Sequence, residues 1–211
     1  DSDAANVRDT RVLRPSRNQA FCQWDFKHAH WTIALHKDCR HLFAFVLDDL
    51  PQLQPTRLPQ DSGCATFAMT EVLRIAFGPI PALPGEQKMT DVSDGSFPSL
   101  LQSDTPRQRA NLTFYMDDLF SGFTNFDEAY VWMRDHLFPR IEWTMFRLSF
   151  KKMYLLMDSI IALGVQHFAG GRSEPKPARA DKITKWPVPK NQDVRSFLAA
   201  VGITKSWVKN F

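Results

Sequence analysis

One short run, residues 112 to 120, constrains this chain more than any other. Leu112, Phe114 and Met116 alternate with Thr113 and Tyr115, Asp117-Asp118 follows, and Leu119-Phe120 resumes apolar character. A period of two marks a half-buried strand, so the run predicts a hairpin with two carboxylates at its tip. Adjacent like charges repel, and burial raises the cost unless something positive sits between them. A divalent cation is the natural partner: Mg²⁺ takes hard oxygen ligands and is usually held by one or two carboxylates plus substrate phosphates. An Asp-Asp turn can equally be a solvated turn, and Asp48-Asp49, beside Pro51, reads as one.

Asp25 closes a separate predicted strand, Cys22-Gln23-Trp24-Asp25-Phe26, able to lie beside this hairpin. Three carboxylates converging from two neighbouring strands would supply a two-metal site. One ion would lower the pKa of an attacking hydroxyl while the other steadied a leaving phosphate.

The rest of the chain is read around these elements. Residues 1–20 are polar and Arg-rich and read as a basic arm or a remnant of a preceding subdomain. Trp31, Ile33 and Leu35 alternate with Thr32, Ala34 and His36, and Phe43 to Leu47 is an apolar run; each predicts a strand. Ala65, Met69, Val72, Leu73 and Ala76 share a helical face, so 64–77 reads as a helix ended by Gly78-Pro79. Residues 79–110 carry five prolines and no period, which predicts a long insertion or mobile loop, and a possible seat for a protein partner. Phe126, Tyr130, Met133 and Leu137 mark a second helix. Met153 to Leu163 predicts another hairpin, Gly170-Gly171 a break, Pro175 and Pro177 a linker, and Val194, Phe197, Leu198 and Val201 a third helix. Strands and helices mix without a glycine-rich phosphate loop, so the class is α+β, an antiparallel sheet with helices packed on one face.

Composition narrows the remaining options. A chain of 211 residues with 17 Phe can fill a sizeable core, and a net charge of +3 suits a polyanionic partner without being histone-like. Three cysteines without disulfide or zinc spacing suggest reduced thiols, in the cytoplasm or nucleus. No run is long and apolar enough to span a bilayer, so no membrane partner is expected. The first residue is Asp1 rather than Met, which reads as a piece of a longer chain.

Tyr115-Met116-Asp117-Asp118 matches the tyrosine-x-Asp-Asp signature of reverse transcriptases, and the surrounding chain resembles the Ty3/gypsy class of long-terminal-repeat retrotransposons. Phe21-Cys-Gln-Trp-Asp25-Phe-Lys-His-Ala-His30 resembles the segment with that family's first catalytic aspartate. His41 to Val46 resembles the next strand, and Arg57-Leu-Pro-Gln60 the stretch against the incoming nucleotide. Leu148-Ser-Phe-Lys151-Lys152 resembles the lysine-bearing segment and Leu163-Gly164 the primer grip. Trp186-Pro-Val-Pro-Lys190 with Val194 to Leu198 resembles the passage into the thumb.

The resemblance implies a palm over 21–168 and a linker and start of thumb over 169–211. It implies Mg²⁺ (or Mn²⁺) held by the catalytic Asp25, Asp117 and Asp118, with Phe26, His30, Gln60, Lys151 and Lys152 around the nucleotide. Partners would be an RNA template, a DNA primer and a deoxynucleoside triphosphate. Several features depart from the family: His30 stands where an aromatic residue is expected, Asp61 replaces the glycine after Leu-Pro-Gln, the stretch from Asp61 to Cys64 is about two residues short, 79–110 separates helix from hairpin, and most of the fingers is not evident before Phe21. They leave an alternative open, a catalytically lapsed, domesticated domain kept as a binding scaffold for protein or nucleic acid.

Overall fold

The computed structural model describes residues 13–78, 100–101, 112–187 and 193–202. The predicted hairpin forms: β2 (Leu112–Tyr115) turns through Met116 and Asp117 into β3 (Asp118–Phe123). β1 (Ala20–Asp25) lies antiparallel to β3 with Ala20 opposite Phe123 and Asp25 opposite Asp118. β4 (Tyr154–Met157) closes the sheet, in the order β2-β3-β1-β4.

Side chains alternate across a strand, so β1 divides its residues between two cores. Cys22 and Trp24 join Leu119, Phe123, Met69, Leu73, Phe77, Trp132 and Leu137 under the helices. Phe21 and Phe120 pack on the opposite face with Leu13, Ile160 and Ala162. That second face continues from Phe21 through Gln23 to Asp25, so the carboxylates lie at the open end of a surface filled by apolar side chains further along.

The helices match their apolar periods. α2 (Ala65–Phe77) buries Ala65, Met69, Leu73, Ala76 and Phe77. α3 (Phe126–Trp132) starts from the Asn125 side chain, which accepts from the Glu128 N–H at 2.9 Å. A π-helical stretch, Met133–Leu137, joins it to α4 (Phe138–Thr144). Arg140 on α4 is 1% exposed and its Nη1 donates to the carbonyls of Ala76 and Gly78, both at 2.7 Å. These are carbonyls at the α2 terminus that the helix itself leaves unsatisfied. Burial lowers the Arg140 pKa to about 10, so the group is still a cation at neutral pH. Arg140→Met keeps the apolar stem and removes both donations. It is expected to cost about 2–3 kcal/mol, read as a lower urea midpoint with an unchanged slope.

Four local predictions give way to tertiary structure. Trp31 to Leu35 is not a strand: α1 (Ala29–Thr32) starts after His28 at φ 53, and buries Ala29 and His30 while Trp31 stays 47% exposed. The segment is tied instead to the loop before α2, with the Arg57 guanidinium on the Thr32 carbonyl at 2.9 Å and the Leu58 N–H on that of Ile33 at 3.0 Å. Lys37–Phe43 is a 3₁₀ helix, and of the apolar run after it Phe45 alone bridges a partner, Leu53. The turn at Asp48-Asp49, with Asp49 at φ 62, follows too soon for a longer ladder.

Met153 to Leu163 is not a hairpin either, because the chain changes sheets at Asp158. β4 pairs with β1, whereas β5 (Ser159–Ala162) pairs with β6 (Val165–Phe168) across Leu163-Gly164. Finally, residues 173–175 are not linker. Gly170 and Gly171, at φ 80 and 86, reverse the chain so that β7 (Ser173–Pro175) adds to β6, with its proline at the sheet edge where a missing N–H is harmless. α5 (Pro177–Thr184) and α6 (Asp193–Gly202) follow.

Most of the predicted insertion, and residues 1–12 of the arm, lie outside the described residues. Leu100 within that insertion is 4% exposed; its N–H donates to Phe77 and its carbonyl accepts from Leu112. It joins the end of α2 to the start of β2 and belongs to the core. No described helix is long and apolar enough to cross a membrane.

Candidate active site

The register of β1 on β3 sets Asp25 directly opposite Asp118, where side chains stand about 5 Å apart at Cβ. Asp117 occupies the turn, behind Met116 at φ 55. A non-glycine residue there is strained, and the turn is held by the Phe26 N–H, which donates to the Asp117 carbonyl at 2.9 Å. The exit of β1 is held on its other side as well: the Ser149 N–H donates to the Asp25 carbonyl at 2.8 Å and the Lys27 N–H to that of Arg147 at 2.7 Å. Phe26 beneath them is 1% exposed and stacks on Phe77 and Phe146.

Asp25, Phe26, His30, Gln60, Asp117, Lys151 and Lys152 line one cleft of about 630 Å³. Residues scattered over 128 positions of sequence are thus brought together, and Asp118 adjoins the cleft through its pairing with Asp25. Leu163 and Gly164 do not line it. They form the β5–β6 turn, at φ 53 and 81, the two positive values a tight hairpin turn requires. Asp61 has φ 64. The position where the resemblance leads one to expect glycine has therefore kept a glycine-like backbone, which aspartate tolerates better than most residues.

Each opposed carboxylate meets one long polar side chain. Lys152 Nζ lies 2.9 Å from Asp25 Oδ2, with the lysine side chain 65% and the aspartate 7% exposed. Gln23 Nε2 donates to Asp118 Oδ1 at 3.1 Å. Burial holds the Asp118 pKa above its ordinary value; the Gln23 hydrogen bond opposes this, and Asp117 and Asp25 add to the rise. Bonding to Asp25 raises the Lys152 pKa. Sequence reasoning missed Gln23. The signal was a polar residue two positions before Asp25, hence on the same face of a strand otherwise apolar on both sides.

The donor set, three carboxylates from two neighbouring strands, suits a hard divalent ion in kind. Among the described residues no three His, Cys, Asp or Glu side chains are gathered closely enough to hold an ion as they stand. The Lys152 ammonium is the cation that answers Asp25.

No protein-family model matches the chain. It is 28% identical over 193 residues to the Gag-Pol polyprotein of Koala retrovirus, a match covering 89% of this chain and 10% of that one. It is 26% identical over 206 residues to the Pol polyprotein of Feline endogenous virus ECE1, covering 95% and 17%. A foamy viral protease-reverse transcriptase in complex with dsDNA matches the whole chain at a TM-score of 0.66 and 17% identity, over 37% of its own length. The same enzyme in complex with an RNA/DNA hybrid matches 92% of the chain at a TM-score of 0.57 and 16% identity, over 22% of its own length. The fold is reverse-transcriptase-like. The two relatives are retroviral Gag-Pol and Pol polyproteins, and the chain spans only 10% to 17% of their length.

Proposed function

We propose that the chain is the palm and first part of the thumb of an RNA-directed DNA polymerase of retroelement origin, extending a DNA primer on an RNA template. The observation that carries this reading is the in-register pair Asp25 and Asp118, with Asp117 at the turn, opening onto the cleft that holds His30, Gln60 and Lys152. Asp25, Asp117 and Asp118 would hold Mg²⁺ or Mn²⁺, which when bound activates a primer hydroxyl and steadies departing pyrophosphate. His30 and Phe26 would bound the nucleotide pocket and Gln60 would contact the incoming nucleotide. Lys152, 65% exposed at its side chain, is free to leave Asp25 and meet the triphosphate together with Lys151. Leu163-Gly164 would rest against the primer. The placement among Ty3/gypsy elements rests on the ordered motifs from Phe21 to Leu198, and an intracellular location on the free cysteines. The nucleic-acid complexes of the foamy viral enzyme support a duplex partner here too.

A second reading, a lapsed domain kept as a scaffold, is favoured by one observation: the Lys152 ammonium sits on Asp25. Primer extension on an RNA template with Mg²⁺ or Mn²⁺ separates the two. The native chain should extend the primer and the Asp117→Asn, Asp118→Asn double variant should not. Absence of extension by the folded native chain, and by the same segment within a longer parent chain, would favour the scaffold.

A further inference from the structure

We propose that Gln23 is a positioning residue for Asp118, holding its carboxylate aimed for a cation before one arrives. The inference rests on the reading above, in which Asp118 helps to hold a divalent ion.

Gln23 pairs with Phe120 on one side and Tyr154 on the other, so it occupies the middle of the sheet. An amide is a poor choice there for packing alone, since strand interiors favour β-branched and aromatic residues and a buried amide costs free energy unless it is hydrogen-bonded. Its bond explains it. Asp118 stands two residues before Phe120 on β3, hence diagonal to Gln23 and on the same face, within reach of a long side chain. Among the described residues Gln23 is the side chain that donates to Asp118, at 3.1 Å; Asp117, Asp25 and Lys152 act on it through charge.

The two carboxylates are thus held differently. Lys152 is mostly exposed and swings away without strain when a cation or a polyanion enters. Gln23 is half-buried between strands and stays. A neutral donor is well matched to this role, because it orients one oxygen without cancelling the charge that attracts the ion. Partners that orient a metal-binding side chain are typically worth about 10–100-fold in metal affinity.

The test is Mn²⁺ binding by the whole chain, read from the paramagnetic resonance signal of the free ion. Gln23→Met keeps length and shape but cannot donate. It should weaken Mn²⁺ binding about tenfold, with an unchanged near-ultraviolet dichroism spectrum. In an Asp118→Asn background the same change should shift Mn²⁺ binding less than about twofold, because residues acting as one unit are not additive. Binding by Gln23→Met within about twofold of the native chain would overturn the proposal, as would an equal loss in both backgrounds. Failure of the native chain to bind Mn²⁺ would overturn the metal site and the role of Gln23 with it. Native binding that is insensitive to Gln23 would overturn the positioning role alone.

Discussion

Asp118→Asn is expected to make the chain more stable and, in the primer-extension assay, inactive. The folded state raises the proton affinity of Asp118, through burial first and then through Asp117 and Asp25. A carboxylic acid whose folded pKa lies above its unfolded value favours folding at low pH and loses that contribution as pH rises through the folded pKa. At neutral pH the ionised group is a net cost. Asparagine removes the charge, relieves the repulsion across the β1–β3 pair and still accepts from Gln23. The gain should be about 0.5–1 kcal/mol, the range for like charges opposed on neighbouring strands after screening at a half-exposed site. In a chain of this size that is about 2 °C in thermal midpoint. Metal-dependent extension should fall roughly a hundredfold or more, as when one preorganised electrostatic group is removed from an active site. A midpoint that falls, with extension retained, would contradict the account of Asp118 as a destabilising charge held for function.

Acid should act in the opposite sense through His167. This residue of β6 is fully buried, and neither ring nitrogen has a hydrogen-bond partner among the described residues. Burial, with a smaller contribution from Arg14, lowers its pKa to about 4. A histidine buried in the neutral form takes up its proton on unfolding. Stability is therefore complete above its unfolded pKa near 6.5 and declines as pH falls from there towards 4. The loss should approach about 3 kcal/mol by pH 4, or roughly 6–12 °C in midpoint. Carboxylates titrate over part of the same window, so the diagnostic quantity is a difference between proteins. His167→Leu should flatten the decline between pH 6.5 and 5, where few carboxylates change state. Identical profiles for the two proteins would show that the imidazole is not buried uncharged. His167 stands between β5 and β7, so its protonation would loosen the hairpin bearing Leu163 and Gly164.

The carboxylate-bearing hairpin and α2 were legible because each carries its own period over enough residues: Leu112, Phe114 and the Asp-Asp turn in one, Ala65 to Ala76 in the other. The candidate-site residues from Asp25 to Lys152 were named through an ordered set of motifs, although no spacing rule shows that Gln60 and Lys152 share a cleft. What failed was pairing. Trp31 to Leu35 alternates for five positions only, too short a window to separate one helical turn from a strand, and its fate was decided by Arg57 and Leu58. The strands within Met153 to Leu163 were real, but their partners lay elsewhere, on β1 and β6. Gln23 escaped notice because its meaning depends on a diagonal neighbour 95 positions away.

The bonds of Phe26 to Asp117, Ser149 to Asp25 and Lys27 to Arg147 are all between main-chain atoms. A side-chain substitution removes neither the donor nor the acceptor of any of them, except proline at the donor residue. Side chains that line this cleft, such as His30, or stand beside it, such as Asp61, can therefore change while the skeleton that seats the carboxylates persists. In such a frame chemistry is lost before shape, and an ancestor stays recognisable long after selection for its reaction has ended. By the same logic, activity that had lapsed could return through a few side-chain changes, with no need to rebuild the scaffold beneath them.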